Sequence, residues 1–213
     1  NTFNFRHMES IGRAPGYYGV LPIEKAFRLL PEILYYPARP IAELTAEDHL
    51  NIGRLFHGFR WYEAADGEFR KALARTPGHA AALAQHGRLL AELAALRGEE
   101  GLSQEAAKQF QAALAADPLN LAALEGAARH ASATGHPETA RALYDRYLAL
   151  EPQEPRIHAE LARIHAAAGA WNPAMEASET AIMLDDGFTP LPSRVEGEVF
   201  YLRGAEARKE GRT

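Results

Sequence analysis

The chain has 213 residues, of which 47% are hydrophobic and 24% charged, and its formal net charge at pH 7 is −5. This composition is typical of a globular protein, no apolar run reaches the roughly 18 residues that span a bilayer, and the acidic balance argues against general binding of nucleic acids. Cysteine is absent, which excludes disulfides, thiolate metal sites and cysteine nucleophiles.

Residues 1–44 are rich in aromatic residues, glycine and proline. Glycine and proline interrupt long helices, so we predict an irregular segment with one short helix over about Ile23 to Tyr36. Two interpretations remain open. The segment is either a cap that packs over the first repeat or a segment that docks onto the groove or onto a partner.

From Thr45 onward the pattern predicts helices in pairs. Thr45 and Asp48 form a capping-box pair, in which each side chain satisfies an amide at the start of a helix. A first helix is predicted from about Ala46 to Phe59. A second is predicted from about Tyr62 to Arg75, before a turn that contains Pro77.

The same sequence pattern, a pair of predicted helices followed by a turn, recurs along the chain. Its copies end at Pro77, Pro118, Pro152 and Asp186, at intervals of 41, 34 and 34 residues. We therefore predict four repeats, over 45–78, 79–119, 120–153 and 154–187, within a repeat region of 45–186. The seven additional residues of the second repeat are expected to extend its first helix toward Arg97 and to form a turn over Gly98, Glu99, Glu100 and Gly101.

Small and aromatic residues recur at corresponding places in these repeats, and their order resembles the tetratricopeptide repeat family. In the first repeat they are Gly53, Phe56, Tyr62, Ala65, Phe69, Ala72 and Pro77. The third and fourth repeats carry Ala128 and Ala162 where the first two have Gly53 and Gly87. The resemblance implies an all-α, right-handed superhelical solenoid of antiparallel helix pairs, whose first helices line a concave groove.

The end of the chain predicts one more helix. Ser193 and Glu196 make a second capping-box pair, and the helical pattern continues to about Glu210. Residues 193–213 are therefore predicted to be a capping helix or the start of a fifth repeat.

No motif for catalysis or metal binding emerges from the sequence. The glycines lie at predicted helix crossings and turns, and the serines lie in no nucleophile motif. His158 and His165 share a helical face, but seven residues separate them by roughly 10 Å, which is too far to bind one ion together. We predict no enzyme activity, no catalytic residue, no cofactor and no metal.

One residue type repeats although the fold does not require it. Arginine directly follows the small first-helix residue in all four repeats, as Arg54, Arg88, Arg129 and Arg163. The family resemblance places this position in the groove, where guanidinium groups bind carboxylate or phosphate. The predicted ligand-binding set also contains Asn51, His57, Gln85, Glu125 and Arg156. The alternative is internal pairing of the arginines with Glu47, Glu92, Glu125 and Glu160.

These observations favour a scaffold that binds an extended, partly acidic peptide or protein segment in its groove, for assembly of a complex. Leu50 and Arg54 stand where chaperone-clamping members of the family have lysine and asparagine, which disfavours that partner. We expect no nucleic acid and no membrane insertion, while residues 1–44 offer a route to self-association. The alternative function is a targeting or substrate-recruiting region of a larger enzyme, such as a glycosyltransferase or hydroxylase.

The compartment stays open at this stage. The chain begins at Asn1 rather than methionine, which is compatible with processing. A soluble protein is expected, either cytoplasmic or periplasmic and exported.

Overall fold

The computed structural model describes residues 44–185, 197–203 and 205. The predicted helix near Ile23 and the capping pair of Ser193 and Glu196 lie outside these residues. Within them, every regular element is an α-helix, and eight helices occupy 46–184. They are α1 Ala46–Gly58, α2 Tyr62–Arg75, α3 Ala80–Arg97, α4 Glu100–Ala116, α5 Leu121–Ala133, α6 Pro137–Leu150, α7 Pro155–Ala167 and α8 Trp171–Leu184.

Local chemistry sets where these helices begin. The Thr45 hydroxyl accepts a hydrogen bond from the Asp48 amide at 3.2 Å, and the Thr45 amide donates to the Asp48 carboxylate at 2.7 Å, which confirms the predicted capping box. Asn120 caps α5 in the same way, because its side-chain oxygen accepts from the Ala123 amide. In α6 and α7, proline stands in the first turn, where its missing amide costs no hydrogen bond.

The helices pack as four antiparallel pairs, α1 with α2, α3 with α4, α5 with α6 and α7 with α8. Each pair also contacts the next, and among the first helices α3 contacts both α1 and α5 directly. This packing places the first helices on the inner side of the stack. The observed arrangement confirms the predicted all-α solenoid.

Small residues permit the close crossing of helices within each pair. Gly53 faces the Phe69 ring so closely that a methyl group on Gly53 would lie 2.5 Å from it. Phe110 of α4 occupies the equivalent space beside Gly87, and its ring also abuts Gly126 of α5. One buried phenylalanine therefore joins the second pair to the third.

The second pair is longer than the first. Helices α3 and α4 have 18 and 17 residues, whereas α1 and α2 have 13 and 14. The prediction that α3 extends to Arg97 is confirmed. The predicted four-residue turn is wrong. Gly98 adopts a left-handed conformation at φ 69°, which ends α3, and α4 already begins at Glu100. Glu100 and Gly101 consequently lie in the first turn of α4.

Residues 197–203 are helical and cover part of the last pair. Val199 is buried in a cluster with Ala162, Ala166 and Ala174. Among the described helices, none combines the length and apolar character needed to cross a lipid bilayer.

Candidate functional site

The four predicted arginines lie on the first helices, one on each of α1, α3, α5 and α7. Each follows a buried small residue that packs against the second helix of its pair. One residue along a helix turns the side chain by about 100°, so the arginine is directed away from that crossing. Arg54, Arg88 and Arg129 are exposed or partly so, and Arg163 is partly buried.

Arg54 and Arg88 border the same pocket, between α1 and α3. It has a volume of about 370 Å³ and is partly open to solvent. Neither arginine forms an ion pair with a residue in the described ranges. The pocket is lined by Arg54, His57, Gly58, Arg60, Gln85, Arg88 and Glu92.

A hydrogen-bonded network fixes one wall of this pocket. His57 Nε2 of α1 lies 2.7 Å from Glu92 Oε2 of α3, and the Tyr62 hydroxyl of α2 donates to Glu92 Oε1 at 2.8 Å. Burial acts to raise the pKa of the Glu92 carboxyl, but these two hydrogen bonds and the electrostatic attraction of His57 and Arg60 together outweigh it and place that pKa below its usual range. Glu92 is therefore an anion at neutral pH, with both oxygens engaged by His57 and Tyr62.

Arg60 is a pocket residue that the repeat pattern did not reveal. It lies in the connection between α1 and α2, so counting positions along the first helices does not reach it. Its backbone has φ 61°, a left-handed conformation that side chains other than glycine rarely adopt. At the corresponding connections of the other pairs, the positive-φ residues are Gly98, Gly135 and Gly169.

Gln85 projects into the pocket from α3. It is only 9% exposed, and it forms no hydrogen bond with any residue in the described part of the chain. Asn51, another predicted site residue, lies outside the pocket and is exposed, with its amide 3.4 Å from Glu47. The structure therefore joins His57 and Gln85 to the first two arginines and separates Asn51 from them.

The third and fourth arginines have acidic partners. Arg129 forms an ion pair with Glu125 one turn earlier on α5, at 2.7 Å. Glu125 also lies 3.9 Å from Arg156, which in turn pairs with Glu154 at 2.8 Å. The positive charges of Arg129 and Arg156 are therefore nearly balanced by the negative charges of Glu125 and Glu154.

Arg163 is held from two sides. It contacts Glu160 on α7 at 3.3 Å and Glu198 of the helical stretch 197–203 at 3.0 Å. The alternative of internal pairing thus holds for Arg129 and Arg163, whereas Arg54 does not pair with Glu47 or Glu92. Glu47 is instead 3.2 Å from His79, and Glu92 belongs to the His57 network.

Two of the described histidines bridge neighbouring helices. His49 is bonded to Glu68 at 2.6 Å and His86 to Asp66 at 2.9 Å, and both rings are buried between elements. His158 lies 2.9 Å from the Pro152 carbonyl. No cluster of three metal-binding side chains occurs among residues 44–185, 197–203 and 205.

Comparison with known proteins supports the repeat architecture. Residues 99–164 match the family model described as tetratricopeptide repeat. No curated protein sequence matches the chain significantly. Repeats of this family form interaction scaffolds that bind proteins or peptides.

Several solved structures share the fold. A thermophilic tetratricopeptide repeat protein of Thermus thermophilus matches with a TM-score of 0.69 and 17% identity, over 84% of this chain and 90% of that one. The MamA protein matches with a TM-score of 0.57 and 16% identity, over 78% and 92%.

The Cut9–Hcn1 hetero-tetramer of the APC/C matches with a TM-score of 0.62 and 14% identity, over 73% of this chain and 30% of that one. Together the matches confirm the resemblance to tetratricopeptide repeat proteins and the solenoid fold.

Proposed function

We propose that this chain, whose residues 99–164 carry the tetratricopeptide repeat signature, is a non-catalytic scaffold that binds an extended, partly acidic protein segment along its first helices. The observation that carries the proposal is the pair of guanidinium groups of Arg54 and Arg88, which border one pocket and form no ion pair within residues 44–185, 197–203 and 205. Binding of this kind would serve the assembly of a protein complex.

The lack of an ion pair at these arginines, within the part of the chain that the structure describes, is informative because the chain as a whole is acidic. With 28 acidic residues against 23 lysines and arginines, carboxylates are available to pair with cations. Arg129 and Arg163 are paired in this way, whereas Arg54 and Arg88 leave local positive charge on the groove side. A carboxylate of a partner supplies the missing charge through short, charge-assisted hydrogen bonds.

The charge distribution also favours one orientation of the bound segment along the groove. The end of the groove at α1 and α3 is positive, while the region of Glu125, Arg129 and Arg156 carries both signs. A segment with its acidic residues over α1 and α3 and mixed charge over α5 and α7 would match this surface. Complementarity of this kind mainly provides specificity and a faster association rate.

The pocket chemistry fits binding better than catalysis. Among the described residues of its lining, none is a serine, threonine or cysteine that could act as a nucleophile. His57 is the lining residue whose side chain is best suited to transfer a proton, but it is buried and bonded to Glu92. The side chains left available to a ligand are donors, and they can hold an anion without transferring a proton.

The proposal is tested with labelled ten-residue peptides that carry from zero to four carboxylates, by fluorescence anisotropy at low salt. We expect affinity to rise with the number of carboxylates and to fall with added salt. The double variant Arg54→Gln, Arg88→Gln should weaken the best peptide about tenfold or more, since a hydrogen bond to a charged group contributes about 1.5–3 kcal/mol.

A matched control separates the groove from overall charge. The double variant Arg75→Gln, Arg141→Gln removes two positive charges from the second helices α2 and α6. It should leave the affinity nearly unchanged. Equal losses in both double variants, or an affinity that does not respond to salt, would contradict the proposal.

A further inference from the structure

We infer that the pocket between α1 and α3 binds a phosphoryl dianion, presented by a phosphorylated side chain of the partner segment. This inference rests on the proposed function and narrows it, because it names the group recognised at the positive end of the groove. Binding of the partner would then depend on its phosphorylation.

The first argument is the number of positive charges. Arg54, Arg60 and Arg88 all line the pocket, and none lies within ion-pair distance of a described carboxylate, although Arg60 attracts Glu92 from farther away. The single carboxylate in the lining, Glu92, already has His57 on one oxygen and Tyr62 on the other. One ligand carboxylate would balance one guanidinium, whereas a phosphoryl group carries a charge of about −1.5 to −2 and three acceptor oxygens.

The second argument is the Gln85 side chain, whose amide forms no hydrogen bond within the described ranges. This amide is not fully enclosed by protein, so a ligand in the pocket can reach it. Gln85 is more than nine-tenths buried, lines the pocket and has no partner within the described ranges. Its side-chain nitrogen is a donor suited to a phosphoryl oxygen that the arginines do not reach.

The third argument is the backbone of Arg60. A left-handed conformation costs a residue with a side chain roughly 1–2 kcal/mol, and glycine avoids this cost. Gly98, Gly135 and Gly169 have positive φ at the other three connections, whereas the first connection places an arginine beside the pocket at φ 61°. Residues held in such conformations are concentrated at functional sites.

The lining also distinguishes a phosphorylated side chain from a nucleotide. Nucleotide and nucleic-acid sites use aromatic faces on which a base stacks. Here the ring in the lining is His57, which is buried and bonded to Glu92, while the remaining residues are arginine, glutamine, glycine and glutamate. The pocket offers donors for the anion and, among its described lining residues, no free aromatic face for a base.

The test compares two small probes that differ in the anion, N-acetyl-O-phosphoserine N-methylamide and N-acetyl-glutamate N-methylamide. Binding to the full chain is followed by ¹⁵N NMR at low ionic strength. We expect the phosphoserine probe to bind at least tenfold tighter than the glutamate probe and to shift the side-chain amide signal of Gln85.

Arg60→Gly is the decisive variant, since glycine suits the left-handed backbone. We expect this variant to lose at least tenfold in affinity for the phosphoserine probe while its melting temperature stays equal to or above that of the wild type. Arg141→Gln, on the outer helix α6, is the charge control and should bind the probe as the wild type does.

The inference is overturned if neither probe binds, if both bind equally, or if Arg60→Gly binds like the wild type. The two proposals fail separately. Acidic peptides that require Arg54 and Arg88 without preferring phosphoserine would leave the proposed scaffold intact and remove the phosphoryl site. If the phosphoserine probe binds but no acidic peptide does, the phosphoryl site would stand and the proposed scaffold function would be contradicted.

Discussion

At the scale of single residues, tight packing contrasts with open surface. Gly53 lies against the Phe69 ring within the first pair, and a side chain there would have to displace a fully buried phenylalanine. Gly67 lies on α2 with no atom close to where a side chain would extend. Two glycines only 14 positions apart therefore have opposite roles, since one is required by packing and the other weakens its helix.

This contrast gives a matched pair of substitutions. Gly53→Ala should lower the free energy of unfolding by about 1–3 kcal/mol, because the added methyl group overlaps the Phe69 ring. Gly67→Ala should raise it by about 0.5–1 kcal/mol, because alanine restricts the unfolded chain and favours the helix. Urea denaturation followed by circular dichroism measures both, and changes of the same sign would contradict the packing described for Gly53.

At the scale of helices, a partly buried polar contact joins the first two helix pairs. Asp66 of α2 bonds to His86 of α3 at 2.9 Å and to Arg70 at 2.7 Å. The hydrogen bond from His86 is the main cause that lowers the pKa of the Asp66 carboxyl, against the opposing effect of burial. The interface between the first two pairs is thus partly electrostatic.

This interface predicts a pH dependence. Because the pKa of Asp66 is lower in the folded state than in the unfolded state, its contribution to stability is fully present above about pH 4 and is lost as the pH falls through the folded value. We expect the stability difference between the wild type and Asp66→Asn to be constant near pH 5 and to shrink toward pH 3. Denaturation curves over this range measure it, and a constant difference throughout would argue against the lowered pKa.

At the scale of the whole molecule, the core is continuous because neighbouring pairs share side chains. Phe110 is 2% exposed and packs against Gly87 in its own pair and against Gly126 in the next. In a repeat array, cooperativity depends on such contacts between neighbours. The two tryptophans lie on opposite sides of this junction, Trp61 before α2 and Trp171 at the start of α8.

Phe110→Ala should therefore lower the stability of the fold and also reduce the cooperativity of unfolding between two halves of the array, the first two helix pairs and the last two. Loss of a buried phenylalanine costs about 3–5 kcal/mol. With Trp61 or Trp171 as the single fluorophore, the other being replaced by phenylalanine, we expect coincident urea transitions in the parent chain and separate ones after Phe110→Ala. Coincident transitions in both backgrounds would show that Phe110 does not couple the halves.

Much of this architecture could be predicted from the sequence because its determinants are local. Thr45 and Asp48 lie three residues apart, so a capping box is visible in the printed chain. Gly53 and Phe69 lie within one repeat and recur at a fixed period, which identifies the helix pairs and their crossing. The row of arginines on the first helices follows from the same period.

Tertiary structure decided which of those arginines are available to a ligand. Arg163 is paired with Glu198 and His57 with Glu92, and each pair is 35 residues apart in the chain. Arg60 joins the pocket through a left-handed turn that helical periodicity does not describe. Helical spacing specifies the face on which a side chain lies, whereas its partners depend on which side chains of other elements meet it after packing.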